Sequence, residues 1–137
     1  MKKLTILPIL FILFILGSCT KYEEGSNFSI ISAKARLVNH WTITKYEIDG
    51  VNQPINQNTS LEMDFYKDNT FKRTWVIGGF QVPEEGSWAF ADGKNMVVLT
   101  KKDGGVEGYT IIQLKVKDFK VKRTDGSSTY VYTFKGK

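Results

Sequence analysis

The chain is poor in the two residue types that supply most nucleophilic, redox and metal-binding chemistry. Among its 137 residues it has one cysteine, Cys19, and one histidine, His40. A single cysteine excludes an intrachain disulfide and a cysteine-based metal cluster. A lone histidine acts as a general base only beside a nucleophile and an orienting acid, and no nucleophile-elbow motif is present. We therefore expect no enzymatic activity, no cofactor and no metal site, and we interpret His40 as structural.

The carboxylates leave one enzymatic alternative open. Glu62 and Asp64 alternate with apolar residues, which places both on one face of a strand, close enough to act as an acid pair. A hydrolase built on Glu62, Asp64 or His40 is the corresponding hypothesis. The same alternation is also typical of a solvated outer wall, which is the interpretation we prefer.

Long apolar runs are also scarce, and the first one stands at the start of the chain. Met1–Lys3 is basic, residues 4–16 are nearly all apolar, and Gly17 and Ser18 follow before Cys19. A basic start, a short apolar run and a small-residue cleavage site are typical of a secretory signal peptide. The run is short for a transmembrane helix. An ordinary signal peptide followed by an incidental cysteine is one interpretation of this pattern.

A cysteine directly after two small residues also resembles the lipobox of bacterial lipoproteins. The resemblance implies cleavage before Cys19, lipidation of its thiol and anchoring to a membrane, which is stable with two or more acyl chains. The lack of aspartate at position 20 resembles outer-membrane sorting. We expect a signal peptide over residues 1–18, the lipidated cysteine and a tether over 19–34, and one domain over 35–137. The expected location is the outer membrane, facing the periplasm or the cell surface.

From His40 onward, short alternating segments separated by polar or glycine turns predict an all-β domain. We expect strands at Trp41–Asp49, Leu61–Phe65, Thr70–Ile77, Gly86–Ala91, Met96–Thr100, Tyr109–Val116, Phe119–Arg123 and Thr129–Lys135. Short links favour antiparallel neighbours, and eight such strands close into a small up-and-down barrel. A two-sheet sandwich is the alternative. Residues 30–38 fit either a helical turn or an extended segment.

Four segments carry a family resemblance. They are Ala35–Trp41, Tyr46–Gly50, Leu61–Phe71 and Glu85–Trp88. In this order they resemble the lipocalin-like domains of bacterial surface lipoproteins. The resemblance implies an eight-stranded barrel whose closed end is plugged by Trp41.

The aromatic residues assigned to the inner face are the candidates for ligand binding. With one arginine, the candidate interior residues are Trp41, Phe65, Phe71, Arg73, Trp75, Trp88 and Phe90. These residues either form a packed core or line a cavity for a small hydrophobic or amphipathic ligand. If Arg73 points inward, its guanidinium needs an internal carboxylate, water or an anionic ligand head, because an unpaired buried charge is costly. A bulge that turns Arg73 outward is the alternative.

The last strands predict a basic outer strip formed by Lys115, Lys117, Lys120 and Lys122. Such a strip is either a solvated face or a contact surface for anionic headgroups, polysaccharide or an envelope protein. Nucleic acid is not an expected partner. We therefore expect a non-enzymatic lipocalin-like lipoprotein that binds a small ligand in its barrel. The alternative is an accessory or inhibitory envelope lipoprotein with a closed barrel that binds its partner through the outer face.

Overall fold

The structure, a computed structural model, describes residues 22–23 and 29–137. The predicted signal peptide, Cys19 and most of the predicted tether lie outside the described residues. Within the described part, no helix has the length and apolar character needed to cross a membrane.

The described chain consists of one short helix followed by nine antiparallel strands. The elements are α1 (Ala33–Leu37), β1 (His40–Ile48), β2 (Val51–Gln53), β3 (Thr59–Phe65), β4 (Thr70–Ile77), β5 (Phe80–Ala91), β6 (Met96–Lys101), β7 (Val106–Leu114), β8 (Asp118–Asp125) and β9 (Ser128–Gly136), with a 3-10 turn at Asp92–Lys94. Eight of the strands pair in the order β1-β3-β4-β5-β6-β7-β8-β9, and β1 pairs with β9 to close the sheet. The predicted eight-stranded barrel is therefore confirmed, and the two-sheet sandwich is wrong.

The ninth strand, β2, is an addition that the sequence pattern did not predict. It has three residues, pairs with the last three residues of β1, Tyr46–Ile48, and carries no buried side chain. Because β2 takes this place, β3 pairs with β1 only at His40–Thr42. The barrel wall therefore opens between β1 and β3 beyond Thr42.

Two strands also differ markedly in their bounds from the prediction. Strand β7 covers Val106–Leu114 and not Tyr109–Val116, and β5 begins at Phe80 and not at Gly86. Gly78 and Gly79, both with positive φ, form a two-residue turn, and β5 returns along the whole of β4. Glycine adopts this left-handed backbone without strain, which makes the tight hairpin feasible.

One end of the barrel, which we call the capped end, is covered by α1. Leu37 is fully buried there, and the Trp41 indole Nε1 donates a hydrogen bond to its carbonyl over 2.9 Å. Trp41 packs against Phe119, with ring centroids 5.2 Å apart. The short-helix interpretation of residues 30–38 is thus the one that the structure supports. The turns β3–β4, β5–β6 and β7–β8 lie at this end, and the remaining turns lie at the opposite, open end.

Candidate functional site at the open end of the barrel

The barrel interior below the open end is packed. The void among its core side chains measures about 10 Å³, room for no more than one water molecule. Phe65 meets the rings of Trp88 and Phe119 edge to face, with centroids 5.9 and 6.0 Å apart. The sequence predicts that the inner aromatic residues either form a packed core or line a cavity. This geometry favours the packed core.

Arg73 lies at the upper limit of this core and points inward, as the alternation predicts. Strand β4 runs without a bulge past this residue, so the outward alternative is wrong. Arg73 is 3% exposed, and its Nε donates to Glu84 Oε2 over 2.7 Å. Its Nη1 donates to Glu107 Oε2 over 2.6 Å and to the Tyr109 hydroxyl over 3.0 Å. A buried guanidinium at this position needs an internal carboxylate, water or an anionic ligand head. The structure provides two internal carboxylates, Glu84 and Glu107.

The pKa shifts in this cluster follow from that geometry. Burial alone raises the pKa of Glu107, but the hydrogen bond and charge of Arg73, with the Tyr109 hydroxyl, outweigh burial and hold the pKa below its usual value. Burial raises the pKa of Tyr109 to about 12. Burial lowers the pKa of Arg73, but Glu107, Tyr109 and Glu84 more than compensate and raise it overall. The cluster therefore forms a charged floor in which one guanidinium is shared by two carboxylates.

Above this floor lies a recess of about 350 Å³, which we call the mouth recess. Its apolar wall is the β4–β5 hairpin, whose inward face carries Trp75, Ile77 and Val82. The opposite wall consists of Tyr109, Tyr132 and Arg123. Small-molecule sites typically enclose about 300–1,000 Å³ with apolar walls and a few polar groups, so the mouth recess has the dimensions of such a site.

The hairpin extends beyond the barrel wall, and its inward face is open to solvent near the tip. Ile77 is 59% exposed and Phe80 is 78% exposed. A second, apolar crevice of about 200 Å³ lies where β1 and β3 separate, lined by residues that include Ile43, Ile55 and Trp75. Trp75 and Ile77 line both the crevice and the mouth recess, so the two spaces adjoin.

Two further cations make longer contacts with the carboxylates of the floor: Arg123, which lines the mouth recess, and Lys101, which lies beside it. Lys101 Nζ lies 3.6 Å from Glu84 and 3.7 Å from Glu107. Arg123 lies 3.6 Å from Glu107 and 3.5 Å from Asp125, and its side chain is 30% exposed. Because these contacts are long and partly solvated, either cation can turn toward a ligand at smaller cost than Arg73.

The predicted interior residues divide into two groups. Arg73 and Trp75 line the mouth recess. Trp41, Phe65, Phe71 and Trp88 are buried in the packed core, and Phe90 packs on the Trp88 ring beyond it. Ligand contact by these core residues stays a prediction that requires their side chains to move.

Residues that the sequence reasoning missed complete the site. They are Val82, Glu84, Glu107, Tyr109, Arg123 and Tyr132. The alternation of side chains along a strand could have identified two of these residues. Glu84 shares its strand face with Trp88, and Glu107 shares its strand face with Tyr109, so both carboxylates point inward with Arg73.

The other predicted polar groups lie elsewhere. His40 Nδ1 and Asp64 Oδ1 are 2.7 Å apart on the outer face near the capped end, and Thr42 Oγ1 is 3.5 Å from His40 Nε2. Within residues 22–23 and 29–137, no three acidic, histidine or cysteine side chains gather as a metal site. Lys122 pairs with Glu23 over 3.1 Å, so the predicted basic strip is partly neutralised by the N-terminal segment.

The fold and the recess define a small closed antiparallel β-barrel of lipocalin-like architecture with a charged floor beneath its open end. No protein-family model matches the sequence, and neither does any curated protein.

Proposed function

We propose that this chain is a lipid-anchored envelope protein, without enzymatic activity, that binds a small amphipathic molecule in the mouth recess. The observation that carries the proposal is the recess itself, because an apolar hairpin face stands over a charged floor at the end of an otherwise packed barrel. The anchor is Cys19 with its lipobox-like surroundings. The location that follows is the outer membrane, on its periplasmic or external side.

The mechanism is passive binding. The apolar part of the ligand is desolvated against Trp75, Ile77 and Val82, and it extends toward the adjoining crevice. Arg73 keeps its two carboxylate partners and closes the floor. An anionic head group is bound at the rim by Arg123 and Lys101, which make longer contacts. A fatty acid has this combination of parts.

The test is a fluorescence titration with cis-parinaric acid on the mature chain and on two matched variants. Val82→Ser removes an apolar side chain from the recess, whereas Val106→Ser removes one from the outer face of β7; both side chains are substantially exposed, at 44% and 64%. We expect weaker binding in Val82→Ser alone. Equal affinity in all three proteins would exclude the mouth recess as the site.

A second candidate function is favoured by two observations together. The interior is packed, and Phe80 stands 78% exposed at the tip of the hairpin without lining the mouth recess. Exposed aromatic side chains of this kind are enriched at protein interfaces. The alternative is therefore an accessory or inhibitory lipoprotein that holds an envelope protein through this hairpin.

One pair of variants distinguishes the two proposed functions. Phe80→Ser should weaken partner binding and leave parinaric acid binding unchanged, while Val82→Ser should weaken ligand binding. Native mass spectrometry of the gently purified protein gives an independent measurement. A discrete bound mass lost in Trp75→Ala supports the ligand; a clean protein mass after incubation with mixed lipids supports the protein partner.

A further inference from the structure

Thirteen of the sixteen lysine and arginine side chains in the described residues fall into two sets, one at each end of the barrel, while Lys120, Lys122 and Lys135 on β8 and β9 belong to neither. At the open end, the side chains of Lys45, Arg73, Lys101, Lys102 and Arg123 each have a carboxylate partner. A second set of cations pairs with no carboxylate among the described residues: Lys34, Arg36, Lys67, Lys72, Lys94, Lys115, Lys117 and Lys137. Every member of this second set belongs to α1, to a turn or strand start at the capped end, or to the residue after β9.

This second set forms one surface, because hydrogen bonds tie its segments together. Lys34 Nζ donates to Asn69 in the β3–β4 turn over 2.6 Å, and Arg36 donates to the carbonyl of Leu114 at the end of β7 over 2.8 Å. The amide of Gly136 donates to the carbonyl of Lys117 over 3.0 Å. All of the set except Arg36 are exposed. We call this set the basic cap.

Acidic side chains near the basic cap are fewer and are partly engaged. Asp64 is bonded to His40, Asp118 is paired with Lys135, and Asp68 accepts hydrogen bonds from Thr70. With Asp92, with Glu23 beside Tyr22 and paired with Lys122, and with Glu85 opposite Lys72 and paired with Lys102, six acidic side chains stand against the eight cations. The basic cap therefore keeps a net positive charge at neutral pH.

The N-terminal segment reaches the barrel at this same end. Tyr22 is 4% exposed, and its hydroxyl donates to the carbonyl of Lys94 over 3.1 Å. Cys19 precedes Tyr22 by three residues, a chain length of at most about 11 Å. An acyl anchor on Cys19 would therefore hold the basic cap near the bilayer, at about the distance over which charges act at physiological salt.

We propose that the basic cap is a contact surface for the anionic lipid head groups of the membrane to which the protein is anchored. The barrel then stands on its capped end, and the mouth recess faces away from that membrane. Each cation near an anionic surface adds about 1 kcal/mol of attraction. The orientation rests on the proposed anchor at Cys19, but the contact surface does not.

The test uses residues 19–137 with Cys19→Ala, which retain every described contact and lack the lipid. Binding is measured to vesicles of phosphatidylglycerol and phosphatidylcholine in equal parts, and to pure phosphatidylcholine, at low and at physiological salt. The variant Lys115→Gln/Lys117→Gln removes two charges from the basic cap. The matched control Lys45→Gln/Lys102→Gln removes the same net charge from the open end.

We expect salt-dependent binding to the anionic vesicles alone, and a loss of about tenfold or more in the basic-cap variant with little change in the control. No binding, binding without salt dependence, or equal losses in the two variants would overturn the proposal. The lipidated protein in the same vesicles then tests the orientation: Lys94 should be protected from amine labelling and Lys102 should not. An intact mass without acyl groups would refute the anchor while leaving the vesicle result valid.

Discussion

Arg73 is the side chain on which the open end of the barrel depends, because it joins three strands through three partners. It connects β4 to Glu84 on β5 and to Glu107 and Tyr109 on β7. The guanidinium also lies over the Trp75 ring, 5.9 Å from its centroid. The floor of the mouth recess therefore has its shape only while this charge is present.

Replacing Arg73 with leucine should lower the free energy of unfolding by about 3 kcal/mol. The partly buried Glu84 and Glu107 would lose the guanidinium that donates hydrogen bonds to them and would keep only the longer contacts to Lys101 and Arg123. Adding Glu84→Gln and Glu107→Gln should recover much of the loss. Urea denaturation measures both effects. As a control, Lys102→Gln removes an exposed ion pair with Glu85 and should change stability by less than about 1 kcal/mol. An Arg73→Leu variant as stable as the wild type would contradict this role.

Glu107 predicts how stability depends on acidic pH. Its folded pKa lies below the usual value of 4.5, whereas the unfolded chain keeps the usual value. Its contribution is therefore fully present above about pH 4.5 and is lost as the pH falls toward the folded pKa. The free energy of unfolding, measured by denaturation at a series of pH values, should therefore fall as the pH falls through this range. The fall should be smaller in Glu107→Gln. Glu62→Gln, which changes an exposed carboxylate on the outer face of β3, should leave the pH dependence in place.

Among the elements, α1 has only five residues and still closes one end of the barrel. Ser32, the N-cap residue directly before α1, accepts a hydrogen bond on its side-chain oxygen from the amide of Ala35 over 3.1 Å, and Leu37 is fully buried. Five residues are too few for a helix that is stable by itself, so packing on the barrel must hold it.

Truncating Leu37 to alanine should therefore destabilise the protein by about 3 kcal/mol through the cavity left above Trp41. Ile30, which is 89% exposed, supplies the matched control, since Ile30→Ala removes apolar volume without opening a cavity. Thermal unfolding followed by tryptophan fluorescence distinguishes the two. A small, equal effect in both variants would show that α1 does not seal the barrel.

Strand β5 shows where sequence reasoning stops being informative. The segment Leu61–Phe65 was predicted because one face is buried and the other solvated, which produces a clean alternation. The first half of β5 has an exposed inward face at Phe80 and Val82, and Pro83 interrupts it, so the burial pattern is absent. Its pairing with β4 depends on the Gly78–Gly79 turn, which also fits a strand break.

At the scale of the whole molecule, the barrel could be predicted, but only Arg73 and Trp75 of the site could. Repeated short strands with tight links leave few topologies, and closure follows from their number. The cluster of Arg73 with Glu84 and Glu107 joins residues that are 11 and 34 positions apart in the chain. Such contacts depend on strand register around the barrel, which alternation alone does not determine.

Because the barrel is closed, its first strand and its last strand are neighbours, so the chain could begin at another turn and still form the same set of strand pairs. Trp41 on β1 faces Gly136 on β9, and the Lys137 amide donates to the His40 carbonyl over 3.2 Å. A circular permutant that joins residue 137 to residue 29 through a short linker and opens at Gly104 in the exposed β6–β7 turn should keep the fold and a cooperative thermal transition. A lipidated cysteine attached to the new terminus would reverse the orientation of the molecule relative to the membrane and place the mouth recess against the bilayer. The attachment point of the lipid then decides which face of this protein is available to the surrounding compartment. The fold of the barrel is the same in either orientation.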